Sequence, residues 1–371
     1  MRPLTVVQLL PALQSGGVER STLEIAVALV EAGHRALVVS AGGRLVPALE
    51  ASGAQHIELD IGRKSLLSLR HVASLRRLFA REQVDIVHAR SRLPAWLARL
   101  ALRSGAGSGP HFVTTVHGLN TPSRYSAVMT TGERVVCVSA TVRDFVLRHY
   151  PKVDPSRLQV IERGVDPADF PRAPLPDPAA RAEVAALHPQ LGGDGPLLLL
   201  PGRGTRLKGH ADALRLLATL RADGRDARLW MPGTRDPGRA AYVAELLAQA
   251  AQAGLAEVVA ITAPTSAIAR AYAASELVLQ LSHKPEAFGR TVVEALAVGR
   301  PVLGWNHGGV GELLARWWPQ GAIEPFDAAA LAAGAGSILA QGVAPEVRMP
   351  DTLRAMQEAT LSLYDELAQN H

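Results

Sequence analysis

A basic, glycine-rich loop, GRGTRLKG over residues 202–209, lies between an apolar run and a predicted helix. Its glycines allow backbone amides to approach an anion, and Arg203 and Lys208 add positive charge suited to a diphosphate. The loop is not a P-loop, because no Ser or Thr follows Lys208 and its glycine to hold magnesium. The spacing after Gly204 also excludes the dinucleotide-binding fingerprint. Alone, the loop indicates either an anion site or an ordinary solvated turn.

Two carboxylates flank a second loop-to-helix junction, in the segment PEAFGRTVVE. A helix predicted to begin near Gly289 places Glu286 before the helix and Glu294 about one turn inside it. The backbone N–H groups of Gly289, Arg290 and Thr291 then face a ligand at the positive helix end, which favours an anion. Because carboxylates accept hydrogen bonds from sugar hydroxyls, the junction predicts a site for phosphate and sugar together. The alternatives are a solvent-facing Glu294 and a Glu286 that merely precedes a helix.

His117 follows a predicted strand, Phe112–Val116, and precedes Gly118. It is therefore either a structural histidine at the sheet edge or a polar contact to a sugar. The sequence has no Asp-x-Asp pair, so no divalent-metal clamp for a diphosphate is predicted. Basic side chains and helix ends would take the place of the metal.

The elements that position these residues alternate between short apolar runs and helical periodicity. In the first half, the predicted strands are Leu4–Leu10, Ala36–Ser40, Asp85–His88, Phe112–Val116 and Val135–Val138. The predicted helices there are Val18–Glu31, Val46–Ser52 and Leu66–Glu82. In the second half, the predicted strands are Leu197–Leu200, Arg228–Met231, Glu257–Ile261, Leu277–Leu281 and Pro301–Gly304. The predicted helices there are His210–Asp223, Ala240–Ala253, Ser266–Ala274 and Arg290–Gly299. Short strands that are apolar on both faces are typical of parallel sheets covered by helices, so the predicted class is α/β with doubly wound sheets.

The length of 371 residues exceeds what one hydrophobic core supports, which indicates two domains. Residues 167–195 are rich in Pro, Ala and Asp and mark the boundary. We predict domains over 1–165 and 166–350, and a C-terminal helix over 351–371 that crosses back to the first domain. Two such domains would face each other across a cleft, lined by loops that follow strands.

Composition narrows the class of protein further. Hydrophobic residues make up 48% and charged residues 20%, which excludes wholesale disorder, and no apolar run is long enough to span a bilayer. Cys137 is the single cysteine, so an intramolecular disulfide is excluded and a reducing, cytoplasmic location is expected.

Charge is distributed unevenly along the chain. Residues 1–165 hold 21 Lys and Arg against 12 Asp and Glu, whereas the remainder holds 18 against 22. The basic half predicts an anionic partner, which is a lipid surface, a phosphorylated acceptor or nucleic acid; the alternative is a solvated basic face. Aromatic residues are only 4%, and no stacking pattern interrupts the basic residues, which argues against nucleic acid.

The order of the motifs resembles that of the family 4 retaining glycosyltransferases of the GT-B fold. The motifs are GGVER, HARSR, TTVHG, VSA, RGVD, GRGTRLKG, PEAFGRTVVEALAVGRPVLGW and HGGVGELL. Within that family, the chain is most similar to bacterial lipopolysaccharide core glycosyltransferases, particularly the mannosyltransferase-like branch. The resemblance implies GT-B architecture, with two Rossmann-like domains.

The resemblance assigns roles to matching positions. Arg203 and Lys208 would bind the diphosphate of the donor and stabilise it as it leaves, and Glu286 would face the transferred sugar. Glu294 would bond the nucleotide ribose. The remaining donor contacts implied are Gly16, Gly17, Phe288, Gly289, Arg290 and Thr291.

His117 would line the junction of donor and acceptor, and Arg90, Arg92 and Arg163 are candidate acceptor contacts. The resemblance implies transfer from a nucleoside diphosphate sugar, GDP-mannose or a UDP-sugar, to a lipopolysaccharide core or other lipid-linked glycan. No cofactor and no metal are expected. The enzyme would lie in the cytoplasm or peripherally on the anionic inner membrane. Alternatives are an epimerase, phosphorylase or hydrolase of the same fold, a degenerate non-catalytic member and a basic nucleic-acid-binding protein.

Overall fold

The computed structural model describes residues 2–14, 16–103, 109–346 and 352–369. The chain divides into two compact units, an N-terminal unit of Met1–Gly164 with Thr352–His371 and a C-terminal unit of Val165–Asp351. Within the described residues, no helix combines the length and apolarity that crossing a bilayer requires.

Seven parallel strands form the sheet of the N-terminal unit. They are β1 (Thr5–Leu9), β2 (Arg35–Ser40), β3 (Gln55–Glu58), β4 (Ile86–Ala89), β5 (His111–Val116), β6 (Arg134–Cys137) and β7 (Leu158–Val160). The α-helices, labelled in chain order, are α1 (Gly17–Glu31), α2 (Val46–Ala51), α3 (His71–Arg81), α4 (Arg92–Leu102), α5 (Ala140–His149) and α13 (Thr352–Gln369). Short 3₁₀ helices cover Leu66–Arg70, Ser126–Thr130 and Pro155–Arg157.

The strand order in this sheet is β3-β2-β1-β4-β5-β6-β7. Val7 of β1 pairs with Leu37 of β2 on one side and with Val87 of β4 on the other. The chain therefore winds outward in both directions from β1, and the loops after β1 and β4 diverge at a topological switch point. Ligands of open parallel sheets bind at such points.

The C-terminal unit repeats this plan with six parallel strands in the order β10-β9-β8-β11-β12-β13. They are β8 (Leu197–Leu199), β9 (Arg228–Pro232), β10 (Val259–Thr262), β11 (Leu277–Gln280), β12 (Val302–Trp305) and β13 (Ala322–Ile323). The α-helices are α6 (Pro178–Leu187), α7 (His210–Ala222), α8 (Ala240–Gln252), α9 (Ile268–Ala273), α10 (Arg290–Val298), α11 (Gly308–Trp317) and α12 (Ala328–Gln341). The 3₁₀ helices are Pro189–Leu191, Arg206–Lys208, Pro237–Arg239, Ala256–Val258 and Pro319–Gly321.

Both central strands, β1 and β8, are buried along their whole length. Leu198 of β8 pairs with Leu229 of β9 and with Leu277 of β11, so the second switch point lies between β8 and β11. The predicted α/β class with two Rossmann-like parallel sheets is confirmed.

Helix α13 belongs to the N-terminal unit, although it follows the C-terminal unit in sequence. Its side chains Met356, Leu363, Tyr364 and Leu367 are buried in the N-terminal core. The chain passes close to itself where α13 begins, because a Cβ on Gly164 would lie 2.1 Å from the Cα of Leu353. A glycine is therefore required at 164.

Three predicted elements are corrected. The single helix expected over Leu66–Glu82 is a 3₁₀ helix, whose start is capped by the Ser65 hydroxyl accepting from the amide of Leu67, followed directly by α3. The region interpreted as a boundary, 167–195, contains α6, which Asp177 caps by accepting from Ala180 N at 2.9 Å. The strand expected at Glu257–Ile261 begins only at Val259, after a 3₁₀ turn.

Candidate functional site

Lys208 and Glu286 meet at the switch point of the C-terminal unit. Lys208 lies in the loop after β8 and Glu286 in the loop after β11, and these two strands are neighbours. The Lys208 Nζ donates to Glu286 Oε1 at 2.5 Å. Two residues 78 positions apart are thus joined because parallel strands deliver both loops to the same end of the sheet.

The Glu286 carboxylate is held by further polar contacts. The hydroxyl oxygen of Ser282 lies 2.5 Å from Glu286 Oε1 and 2.9 Å from Oε1 of Gln280 at the end of β11, and its single proton can be donated to either acceptor. Burial raises the pKa of the Glu286 carboxyl, but Lys208, Ser282 and Gln280 outweigh it, so this pKa lies below its usual value. Glu286 is therefore an anion near neutral pH, able to accept hydrogen bonds.

The start of α11 fixes the backbone around Glu286. The amide of Gly309 donates to the Glu286 carbonyl at 2.8 Å. A Cβ on Gly308, whose φ is +61°, would lie 2.7 Å from the same carbonyl, so the close approach requires glycine. His307 Nε2 donates to the Ser282 carbonyl at 2.9 Å. The motif HGGVG thus positions the PEAFG segment.

Glycines in the loop over residues 202–209 serve packing as well as chain reversal. A Cβ on Gly204 would lie 2.1 Å from the carbonyl oxygen of Thr234, and one on Gly209 would lie 2.1 Å from that of Leu281. Arg203 is exposed, and the described part of the chain provides no hydrogen-bond or ion-pair partner for its side chain. The structure therefore brings Lys208, but not Arg203, to Glu286.

Helix α10 starts beside this site. Its N-cap is Gly289, with φ +109°, and no side chain caps this helix start within the described residues. Phe288 is buried just before it, and Arg290 and Thr291 form its first turn. The geometry is that of a helix N-terminus, where the helix dipole favours an anion.

Glu294, in the second turn of α10, is only 7% exposed. Its Oε2 accepts from the hydroxyl of Tyr272 in α9 at 2.9 Å. The alternative of a solvent-facing helix residue is therefore wrong, and a buried carboxylate held by a tyrosine is consistent with a binding role.

The N-terminal unit contains a polar pocket of about 250 Å³ at the carboxyl ends of β4 and β5. Arg90, Arg92 and His117 line it, together with Asn120 and the start of α1 at Val18. The three side chains singled out by sequence are thus brought together, with two cations around one histidine. This composition suits an anionic or hydroxylated ligand.

Arg163 lies against His117 and donates from its guanidinium to His117 Nδ1. Because arginine only donates, Nδ1 must accept, and the ring proton of the neutral histidine is on Nε2. That Nε2 is buried and finds no hydrogen-bond partner among the described residues. Burial lowers the pKa of His117 well below its usual value, and the charges of Arg163 and Arg90 lower it further. His117 is therefore a neutral donor beside the pocket.

The two arginines of the pocket are held differently. Arg90 is 3% exposed, and its Nε donates to Gln8 at 2.7 Å, which joins the segment after β4 to strand β1 at the first switch point. Arg92, the first residue of α4, has its guanidinium 5.5 Å from the ring centre of Tyr125. Arg90 is thus a fixed charge, whereas Arg92 lies at the rim over an aromatic ring.

Gly16 and Gly17 form the start of α1. Gly16 has φ +145°, and a Cβ on Gly17 would meet no atom of the described residues within 4 Å. The Glu19 carboxylate lies next to Gly16, however, since Oε2 would be 2.6 Å from a Cβ there. An anion at this helix start would meet that negative charge, and the donor role of both glycines stays a prediction.

Within the described residues, no group of three or more His, Cys, Asp and Glu is arranged to hold a metal ion. Metal independence stays a prediction.

Two family models match successive parts of this chain. Glycosyltransferase Family 4 matches residues 15–169, and Glycosyl transferases group 1 matches residues 188–356. The chain belongs to the GT-B glycosyltransferases.

Curated relatives of this glycosyltransferase are similar over part of their length. Alpha-maltose-1-phosphate synthase of Mycolicibacterium smegmatis is 32% identical over 187 residues, 49% of this chain and 46% of the relative. D-inositol 3-phosphate glycosyltransferase of Jonesia denitrificans is 33% identical over 162 residues, 42% of this chain and 37% of the relative. The chain spans less than half the length of either.

Solved structures are similar over the whole chain. A glycosyltransferase from Rickettsia africae has a TM-score of 0.85 at 28% identity, with 100% of both chains covered. Anabaena Alr3699/HepE in complex with UDP-glucose has a TM-score of 0.77 at 19% identity, with 99% of both chains covered. WaaG, a glycosyltransferase involved in lipopolysaccharide biosynthesis, has a TM-score of 0.69 at 18% identity, with 98% of both chains covered. The last two share the fold.

Sequence reasoning missed four residues of this glycosyltransferase that hold site side chains: Gln8, Tyr272, Gln280 and Ser282. A signal existed for Gln8, because a glutamine within an apolar strand must find a buried partner. The polar pair Gln280 and Ser282 at the end of an apolar strand was a second signal. Nothing local distinguishes Tyr272 from a core tyrosine.

Proposed function

We propose that this glycosyltransferase moves a glycosyl group from a nucleoside diphosphate sugar to a phosphorylated acceptor, with retention of anomeric configuration and without a metal. The observation that carries the proposal is the contact of Lys208 with Glu286 at the second switch point. A cation for the leaving diphosphate and a carboxylate for the sugar stand together there, beside the start of α10.

Charge develops on the diphosphate as the glycosidic bond breaks, so donors placed there in advance lower the barrier. Lys208 Nζ carries three N–H donors and gives one to Glu286, which leaves others for phosphate oxygens. Arg203, exposed on the same loop, adds a second cation, and the amides at the start of α10 add dipoles. Basic groups would thus replace the metal, and EDTA is expected to leave activity intact.

Glu286 supplies the complementary negative charge. Its ionised carboxylate can accept from sugar hydroxyls and offset the positive charge of an oxocarbenium-like state. Because its pKa is lowered, Glu286 is not suited to donate a proton. His117 would add a neutral N–H donor for a sugar oxygen.

Binding experiments test the donor site. Calorimetry with UDP, GDP and ADP should show that one nucleotide binds, and that Lys208→Ala weakens its binding about 10–100-fold. Lys152→Ala, which removes an exposed lysine of the other unit, is the matched control. Equal affinity of Lys208→Ala and the control would contradict the phosphate assignment. UDP is supported by the complex of Anabaena HepE with UDP-glucose, and GDP-mannose by the resemblance to the mannosyltransferase-like branch.

The acceptor is proposed to carry phosphate, since Arg90 and Arg92 place two cations around the pocket of the N-terminal unit. A lipopolysaccharide core or another lipid-linked glycan is supported by the basic first half of the chain. An inositol phosphate is a second candidate, supported by that cationic pocket and by relatives that are D-inositol 3-phosphate glycosyltransferases. Arg92→Gln should raise KM for the true acceptor and leave donor affinity unchanged. Assays with each acceptor class would identify it.

We further propose a cytoplasmic location with peripheral contact to the inner membrane. Product analysis separates transfer from the alternatives: transfer yields a new glycoside of the acceptor, whereas an epimerase yields an isomeric sugar, a hydrolase a free sugar and a phosphorylase a sugar phosphate. A degenerate member would yield no product, and a nucleic-acid-binding protein would bind RNA without binding any nucleotide sugar.

A further inference from the structure

The 3₁₀ helix Leu66–Arg70, between β3 and α3, exposes two apolar side chains and buries a polar one. Leu67 is 72% exposed and Leu69 is 53% exposed, while Ser68 between them is only 4% exposed. A turn that merely covered the core would bury the leucines and expose the serine. The chain instead turns two large apolar side chains toward solvent.

Hydrogen bonds and close packing fix the conformation of this 3₁₀ helix. The Ser68 hydroxyl donates to the carbonyl of Arg63 at 2.5 Å, and the Ser65 hydroxyl accepts from the amide of Leu67 at 3.2 Å. The segment is also anchored at its start, because a Cβ on Gly62 would lie 2.6 Å from the Cβ of Pro11. Hydrogen bonds inside the turn thus hold the leucines outward.

Three cations flank the leucines in sequence. Arg63, Lys64 and Arg70 are exposed, and they form no ion pair within the described part of the chain. The nearest acidic residues in sequence are Glu58 and Asp60, on the β3 side. From residue 61 to 81 the chain carries basic residues and no acidic ones. The leucines therefore stand within a positive surface.

We propose that residues 63–70 form a docking surface for an anionic lipid bilayer, with Leu67 and Leu69 entering the boundary between headgroups and acyl chains. Arg63, Lys64 and Arg70 would meet lipid phosphates. Exposed leucines flanked by cations match the two components of interfacial binding, apolar insertion and attraction to anionic headgroups. A protein partner would ordinarily require a larger apolar area than two side chains offer. This surface specifies the membrane contact of the proposed function, but its test does not depend on catalysis.

Vesicle sedimentation of the full chain tests the surface. The chain should bind vesicles of phosphatidylcholine with phosphatidylglycerol, and bind phosphatidylcholine alone about tenfold more weakly. Leu67→Ser with Leu69→Ser should reduce binding to the acidic vesicles about tenfold, whereas Leu187→Ser, at a site 77% exposed in the other unit, should not. Far-UV circular dichroism and thermal unfolding should be unchanged in all of them, which shows that they fold.

The cations have a matched control too. Arg63→Gln, Lys64→Gln and Arg70→Gln together should abolish the preference for acidic vesicles. Replacement of three exposed cations elsewhere in the same unit should leave most of it; these are Arg148, Lys152 and Arg157. If both triple variants lose this preference equally, vesicle binding depends on the overall charge of the unit and not on residues 63–70, and the proposal is overturned.

A fluorescent probe tests insertion directly. Cys137 is the single cysteine and is buried, so an environment-sensitive dye can be placed selectively by Leu67→Cys. Its emission should shift to the blue on addition of acidic vesicles, and that of the same dye at Leu187→Cys should not. No shift at position 67, or vesicle binding that survives loss of both leucines, would overturn the proposal. So would self-association in ultracentrifugation that the double serine variant removes, because a second copy would then be the occupant.

Discussion

The guanidinium of Arg163 donates to Nδ1 of His117, and this contact sets which nitrogen of the histidine carries the proton. The two residues are 46 positions apart, and each follows a strand of the N-terminal sheet. His117 lines the polar pocket, and Arg163 lies behind it as a positioning residue. Burial lowers the pKa of His117 most, and the neighbouring charge of Arg163 lowers it further, so the ring stays neutral.

Replacement of His117 by glutamine should preserve function better than replacement by alanine, because glutamine retains an N–H donor near Nε2. We expect His117→Ala to lower kcat/KM about 10–100-fold and His117→Gln to lower it less. Steady-state kinetics across about pH 5 to 8 should show no limb from this residue, since its pKa lies well below the usual value.

Arg163→Ala should raise the pKa of His117, because one neighbouring cation is lost. Nitrogen chemical shifts of the ring should show protonated Nε2 in the wild-type protein and a mixture of tautomers in the variant. An Nδ1-protonated ring in the wild-type protein would contradict the assignment.

Replacement of Glu286 tests the carboxylate. Glu286→Gln removes the negative charge but keeps an acceptor, so we expect turnover to fall about 10²–10³-fold while affinity for the nucleoside diphosphate changes little. Rapid-quench kinetics and calorimetry measure the two quantities. Glu257→Gln, at an exposed position of the same unit, is the control. A parallel loss of nucleotide affinity would mean that Glu286 acts mainly by holding Lys208.

The hydroxyl of Tyr272 should contribute to stability, because it donates to the buried carboxylate of Glu294. We expect Tyr272→Phe to lower the free energy of unfolding by about 1–3 kcal/mol. A double-mutant cycle with Glu294→Gln in urea should reveal a coupling of similar size. No coupling would show that the two side chains are energetically independent.

Stability should fall in mild acid. Burial lowers the pKa of His210 from 6.5 to about 4, so the unfolded chain binds the proton more tightly than the folded one. Its stabilising effect is complete above pH 6.5 and is lost as pH falls toward 4, which costs about 3 kcal/mol in all. Urea unfolding at pH 7.5 and 5 measures this loss. His210→Gln should flatten the dependence, and His149→Gln, at an exposed site, should not.

The sequence singled out the loops of Lys208 and Glu286 separately, and the topology of the sheet brings the two residues into contact. In a doubly wound sheet, loops after neighbouring central strands share one end, so two chemically suggestive loops predict one site. The contact of Arg163 with His117 could not be anticipated in this way, since it depends on side-chain directions that no local pattern encodes. The pairing of Tyr272 with Glu294 depends likewise on how α9 packs against α10.

Glycines show a second limit of sequence reasoning. Those at 204 and 209 were expected to admit an anion, yet each lies where a Cβ would strike a neighbouring carbonyl. The sequence alone does not distinguish a glycine that leaves room for a ligand from one that leaves room for a neighbouring loop. Helix α6 was missed for a comparable reason, because Asp177 and Pro178 are both helix-start residues and loop residues.

Helix α13 gives the N-terminal unit a discontinuous core, and this has a consequence for biosynthesis. Strands β1–β7 leave the ribosome first, but the hydrophobic surface that Leu363 and Tyr364 cover must wait until the entire second unit has been translated. The C-terminal unit, which is continuous in sequence, can complete its own core earlier. The second half of this enzyme is therefore expected to reach its native state before the first, the reverse of the order of synthesis.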